Sequence, residues 1–403
     1  MPFIHFTKKT EKCSAESLAE NKKDKSKSAR KQKNRDLCYC SHLDGYIYQH
    51  YSQKLNSKYN RYVKQAGFDK SVIAYRDNRD GKCNIHFAKE VIDFIRKTGS
   101  CYIFVGDFKG FFDNLDHKYL KNMMCKVLDN KKLADDWFAV FKNITKYSIF
   151  ELNRLEKINN IKDYKELNKL PVVLSTEEFH KHKRTNLRTN SNNYGIPQGS
   201  PISAVLANVY MVEFDKRISD IATTNKGLYR RYSDDFIIVL PCNKKEKWSD
   251  IEKVIVDTNR IELQEDKTQV FSFTDTTLKN CNAEFLLKKN DKNALEYLGF
   301  IFDGEFVSLK DKTTTKFYYR MYRKIATIER RVKDDSSRRP DFLNLYDKYS
   351  KKGTMNFLTY VDRCIEVFDM NEKVHLTKIR SGGKLQRRIN KIKQKRKYNC
   401  LCS

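Results

Sequence analysis

The chain has 403 residues, with 80 Lys and Arg against 51 Asp and Glu, a formal charge of +29. That length supports a substantial core in two or three subdomains, and a positive excess spread along the chain favours a polyanionic partner, nucleic acid or an anionic surface. No apolar run reaches the ~18–20 residues of a spanning helix, so no membrane partner is expected.

The opening MPFIHFTKKTEK lacks the apolar stretch and cleavage site of a secretory signal. Eleven scattered cysteines read as free thiols of a reducing compartment, so a cytoplasmic location is expected. The pairs Cys38–Cys40 and Cys400–Cys402 have no C-x-x-C or Cys/His quartet beside them, which disfavours zinc. Residues 20–36 are polar, basic and without apolar periodicity, the pattern of a flexible segment or an RNA-contacting arm.

From Leu43 the period changes. Leu43, Ile47, Tyr51, Leu55, Tyr59 and Tyr62 recur at helical spacing, and Phe87, Val91, Ile92 and Ile95 mark a second amphipathic helix. CYIFVGD (101–107) reads as a buried strand ending at a carboxylate. Residues 118–170 are helix-forming, 176–193 is a polar loop, and 203–218 is a buried helix. LYRRYSDDFIIVL (228–240) predicts two short strands around a turn at Ser233-Asp234. Residues 246–262 read as helix, and 295–309 as a hairpin broken at Asp303-Gly304. From Thr315 the chain is helical, aromatic and basic. Strands and helices are mixed without alternation, so the class is α+β.

Three carboxylates stand out. Asp107 ends a predicted strand, and Asp234 and Asp235 sit on a hairpin turn. Phosphoryl transfer commonly uses two Mg²⁺ ions ~3.5–4 Å apart, held by carboxylates, and Mg²⁺ prefers oxygen ligands with several waters or phosphates. Asp113 and Asp116 read as caps of the following helix, and His117 as structural. Glu213 and Asp215 read as solvated positions on the helix after 210.

These residues resemble the reverse transcriptases, most closely the bacterial group of intron, retron and phage-defence enzymes. GDFKGFFDNLDH (106–117) is similar to motif A, GIPQGSPISAVLANVY (195–210) to motif B and RRYSDDFIIVL (230–240) to motif C. LQEDKTQVF (263–271) and EYLGFIFDG (296–304) are similar to motifs D and E, and AYRDNRDGK (74–82) to a fingers motif. The resemblance spans residues 70–310.

It implies a right-hand polymerase. Fingers would take 41–100 and 118–194, and a palm of antiparallel sheet packed on helices 101–117 and 195–310. A helical basic thumb would take 311–403, and a basic, partly flexible extension 1–40. Asp107, Asp234 and Asp235 would hold two Mg²⁺ ions, or Mn²⁺, with the carbonyl of Phe108 as a further ligand. Phe112 would exclude a ribose 2′-hydroxyl, and Gln198 and Gly199 would line the nucleotide and template pocket. Lys267 would be the general acid, and Arg76 and Lys82 would meet the triphosphate. Tyr232, Leu298 and Gly299 would touch primer and template.

The implied partners are an RNA template, structured and non-coding, deoxynucleotides and a DNA product, with a second reverse transcriptase or another copy of this chain as assembly partner. An antiphage role follows from the compact architecture. Retron- or intron-type enzymes, an RNA-dependent RNA polymerase, and an inactive palm acting as an RNA-binding scaffold stay open as alternatives.

Overall fold

A computed structural model describes residues 1–13, 30–161, 164–167, 169–288, 292–334, 340–351, 353–368 and 383–394. Residues 14–29, part of the expected basic arm, and 395–403, with Cys400 and Cys402, lie outside the described residues. Two compact units emerge: Met1–Arg79, Val105–Ile238 and Glu246–Thr268 form the first, and Asp80–Phe104, Val239–Lys245 and Gln269–Ser403 the second.

In the first unit, helix His42–Gln65 begins at Ser41, whose hydroxyl accepts from the Asp44 amide at 3.2 Å, satisfying one of the unpaired donors at a helix start. Tyr48, Ser52, Leu55, Asn56, Tyr59 and Val63 make its buried stripe at helical spacing. Helix His117–Leu128 is capped by Asp116, which accepts from Tyr119 at 2.8 Å. The buried run after residue 202 is two helices, Ser203–Tyr210 and Val212–Thr224, meeting at Met211. A four-stranded sheet has the order Arg30–Tyr39, Phe3–Cys13, Ser148–Glu151, Leu187–Thr189.

Two expectations change here. Residues 30–36 were placed in a flexible segment, but Arg30–Tyr39 is a strand paired antiparallel with Phe3–Cys13, from Ile4 opposite Tyr39 to Cys13 opposite Arg30. Backbone pairing at this point needs no apolar pattern, only a partner strand. The expected polar loop at 176–193 is instead helix Thr176–Asn186 followed by strand Leu187–Thr189. That helix buries no residue and is held at its start by a capping box, Ser175 with Glu178.

In the second unit, helix Asn84–Thr98 buries Ile85, Phe87, Ala88, Val91, Ile92 and Ile95. Residues 295–309 form three antiparallel strands, Leu295–Tyr297, Phe300–Phe302 and Val307–Leu309. The first turn is Leu298-Gly299, both with positive φ (45° and 94°), a conformation glycine takes freely and leucine does not. Helix Asp311–Asp334 packs Met321, Ile325 and Ile328 against Leu345, Leu385, Ile389 and Ile392. Phe317 is buried against Tyr349 and Phe357, whereas Tyr319 and Tyr322 stay exposed. Among the described residues no helix is long and apolar enough to cross a membrane.

Candidate active site

Three short segments bring the acidic residues together within the first unit. Asp107 is the last residue of strand Ser100–Asp107. Just before it, Gly106 lies so close to the Phe236 ring that an added Cβ would collide with it; glycine is what allows the two strands to approach. The turn between Leu228–Tyr232 and Asp235–Pro241 carries Ser233 at φ 62°. The Phe108 amide donates to the Asp234 carbonyl at 3.2 Å, placing the turn beside the strand end. Residues 262–264 then run antiparallel to 107–109: Gln264 donates its amide to the Asp107 carbonyl at 2.7 Å, and Lys109 to Glu262 at 2.9 Å. The next turn, Glu265–Lys267, swings Lys267 back, and its Nζ donates to Asp107 Oδ2 at 2.5 Å.

The electrostatics are those of a cation site. The protein around its carboxyl, then the charge of Asp234 and the contact with Asp107, push the Asp235 acid up to about 7, with Lys267 pulling the other way. Asp107 is buried, and Lys267 is its charge partner. Among the described residues no three His, Cys, Asp or Glu side chains are gathered closely enough to hold a metal ion as they stand. The donors nevertheless suit a hard divalent cation in kind: all are carboxylate oxygens, and the charge of Asp234 adds to burial in raising Asp235.

The turn is anchored by a buried pair. Arg231 and Asp215 both have fully buried side chains and meet through two hydrogen bonds, Nε to Oδ1 at 2.7 Å and Nη2 to Oδ2 at 2.6 Å. Tyr229 donates to Asp215 Oδ1 at 2.7 Å, and Arg231 Nη1 donates to the Ser233 carbonyl at 2.9 Å. Burial works against the guanidinium charge, but the Asp215 carboxylate holds Arg231 well above its ordinary range. The expectation that Asp215 is solvated is therefore overturned. Its partner lies 16 residues away on the neighbouring strand, and only the fold joins them. Glu213 does lie at the surface, paired with Lys126. His117 is buried, with Nε2 2.8 Å from the Gly195 carbonyl.

The remaining candidates fall as follows. Phe112 is half-buried, edge-on to Phe111 at 5.6 Å, and its carbonyl accepts from Ile196 at 3.0 Å, linking the motif A and motif B segments. Gln198 is half-buried, and its carbonyl accepts from the Cys38 amide at 2.8 Å. Gly199 has φ 119°, and a Cβ there would come 2.7 Å from the Cys38 carbonyl. Tyr232 closes its strand, half-buried.

Arg76 is turned inward. Its side chain has no exposed surface, stacks over Tyr59 at 5.6 Å and pairs with Asp69 at 2.5 Å. Lys82, Leu298 and Gly299 belong to the second unit. There Lys82 is exposed just after the turn at Asp80-Gly81, and the Leu298 carbonyl accepts from Asn84 at 3.0 Å. Sequence reasoning missed Arg231 and Tyr75, whose hydroxyl donates to Ser233 Oγ at 3.1 Å. An arginine inside a strand that is buried at four of five positions was the available signal for the first.

A family model described as reverse transcriptase (RNA-dependent DNA polymerase) matches residues 48–302. No curated protein matches the chain. Among solved structures, apo telomerase from Candida tropicalis is similar at 12% identity and a TM-score of 0.45, over 91% of this chain and 64% of that one. Its form truncated from the C-terminal domain gives 14% and 0.43, over 70% and 53%. Telomerase from Candida albicans with a fragment of telomeric RNA gives 12% and 0.38, over 85% and 53%. The chain thus spans from about half to just under two thirds of these proteins' length.

Proposed function

The chain belongs to the reverse transcriptase (RNA-dependent DNA polymerase) family, an α+β right-hand polymerase and nucleotidyltransferase class, and from that premise we propose that it extends DNA on an RNA template. The observation that carries this is the meeting of Asp107, Asp234, Asp235 and Lys267, drawn from three separated segments, at one end of two neighbouring strands. Fingers, palm and thumb are assigned as the motif order implies.

Asp107, Asp234 and Asp235, with the Phe108 carbonyl, would hold two Mg²⁺ ions, or Mn²⁺ in their place, which would supply activation of the primer 3′-hydroxyl and charge neutralisation at the triphosphate. The chain's own groups supply the rest. Lys267, held beside the site by its hydrogen bond to Asp107, is the group that would donate a proton to the leaving pyrophosphate. Phe112 presents a bulky ring against a ribose 2′-hydroxyl and selects deoxynucleotides. The Gln198-Gly199 loop and Tyr232 bound the template and primer. Arg76 reaches a triphosphate only by leaving Asp69, and Lys82 is assigned to the triphosphate by the motif resemblance alone.

The template is a structured non-coding RNA, the setting is antiphage defence in the cytoplasm, and a second reverse transcriptase or another copy of this chain is the assembly partner. These finer assignments rest on the resemblance of motifs A to E.

Primer extension by the purified chain on a defined RNA template with Mg²⁺, each dNTP and NTP supplied separately, tests the reading. DNA product that disappears in Asp234→Ala/Asp235→Ala supports it. Incorporation of NTPs alone, or product that survives the double substitution, overturns it.

A further inference from the structure

We infer that Tyr75 is a positioning residue of the acidic site: its hydroxyl holds Ser233, and with it the turn that presents Asp234 and Asp235. The hold on the turn stands by itself, and only its consequence for catalysis rests on the polymerase function proposed above.

Tyr75 lies 158 residues from Ser233, on a segment outside every helix and strand. That segment is nonetheless fixed at each step. Val72 forms a parallel bridge with Arg231, and Ile73 donates its amide to the Arg231 carbonyl at 3.0 Å. The Ala74 carbonyl accepts at 3.0 Å from Asn208 Nδ2, a side chain buried in helix Ser203–Tyr210. Just beyond, Arg76 donates to the Asp69 carbonyl and to Asn60 Oδ1, each at 2.7 Å. Anchored before and after, Tyr75 donates its hydroxyl to Ser233 Oγ at 3.1 Å.

Both ends of this bond have left-handed backbone, Tyr75 at φ 60° and Ser233 at φ 62°. Residues other than glycine enter that region at a cost, and bulky ones seldom. Val72, Ile73 and Ala74 are buried, but Tyr75 is 42% exposed, so core packing is not what holds a tyrosine in this conformation. Among the described residues its hydroxyl bonds to Ser233 alone.

Ser233 is the opposite case. It is 5% exposed, so water has little room to replace a lost partner, and a buried hydroxyl left unpaired is unfavourable. Its backbone is held from two other directions. The Ser233 carbonyl accepts from Arg231 Nη1 at 2.9 Å, and the Asp234 carbonyl accepts from the Phe108 amide at 3.2 Å. Those bonds hold main-chain oxygens; Tyr75 adds a third attachment, through the side chain, from a different segment. Placement of the turn decides how Asp234 and Asp235 stand toward Asp107. A misplacement of about 1 Å caused by a distant substitution can cost about 10²-fold in rate.

Tyr75→Phe removes the hydroxyl and keeps the ring. The first measurement is hydrogen exchange by mass spectrometry on the metal-free full chain, which needs no activity. The peptide covering 228–240 exchanges severalfold faster in the variant, while helix His117–Leu128 is unchanged and reports intact folding. Ser233→Ala gives the same increase, and Tyr75→Phe/Ser233→Ala gives no more than either alone, because each removes the same bond. In primer extension on an RNA template with Mg²⁺, each variant lowers kcat about tenfold and leaves KM for the nucleotide within about twofold.

Unchanged exchange at the turn in Tyr75→Phe overturns the proposal. So do additive losses in the double variant, which would place the hydroxyl's partner elsewhere. A raised KM with kcat intact overturns it as well, because Tyr75 would then be a nucleotide contact. If the unsubstituted chain extends no primer, the polymerase reading fails, and the exchange measurement still decides whether Tyr75 holds the turn.

Discussion

Two groups of charged side chains flank the turn at Ser233-Asp234. Asp215 and Arg231 have no exposed surface, and every strong charge is matched: two hydrogen bonds between carboxylate and guanidinium, one to Tyr229 and one to the Ser233 carbonyl. Asp107, Asp234 and Asp235 have a single lysine among three carboxylates, and Asp235 is pushed up to about 7 first by the protein around its carboxyl and then by its acidic neighbours. Charge that is balanced inside the protein holds the turn in place. Charge left in excess is what a divalent cation can bind, so the second group, not the balanced first, is the one proposed to carry the chemistry.

The contrast can be broken by substitution. Asp234→Ala should show the largest effect: incorporation falls about 10⁴-fold, several kcal/mol of transition-state stabilisation, while the melting temperature holds or rises because a repelling charge is gone. A large loss of stability would show the acidic group to be scaffold after all.

Arg231→Met should do the reverse first. It strands Asp215 as a buried charge and costs about 3–5 kcal/mol of stability, measured by urea unfolding, and the double variant Arg231→Met/Asp215→Leu should recover much of it. Full stability in the single variant would mean that water reaches the pair.

Lys267→Gln should lower kcat about 10²-fold through loss of a proton donor. It should also raise the Asp235 acid further, since the lysine is the group that draws it down; NMR titration of the metal-free protein reads that shift, and a downward movement would contradict it.

The smallest effect is in pH. An aspartate whose folded acid sits near 7 contributes stability below its unfolded value of about 3.9 that is lost as pH rises toward 7. Metal-free protein should therefore weaken across that window, and Asp235→Asn should flatten the dependence.

Much of this was legible in the chain. The strand ending at Asp107 and the hairpin around Ser233-Asp234 were marked by apolar runs bounded by turn residues, and the observed elements Ser100–Asp107, Leu228–Tyr232 and Asp235–Pro241 follow them closely. Helix His42–Gln65 was visible because its apolar residues recur every three or four positions. Helix Thr176–Asn186 was not, since it buries nothing and has no such period. Its capping box, Ser175-x-x-Glu178, was the overlooked signal.

What the chain determined by itself is local: the period of each element, the turn at motif C, and the residue types for phosphoryl transfer in their order. What only the tertiary structure decided is partnership. Asp215 meets Arg231, Arg76 turns to Asp69, Lys267 returns to Asp107, and Phe3–Cys13 finds Arg30–Tyr39. The reason is physical. Periodicity records which face of an element is buried, whereas whether a charge ends solvated, neutralised or in excess depends on a second residue whose distance in sequence carries no information about its distance in space.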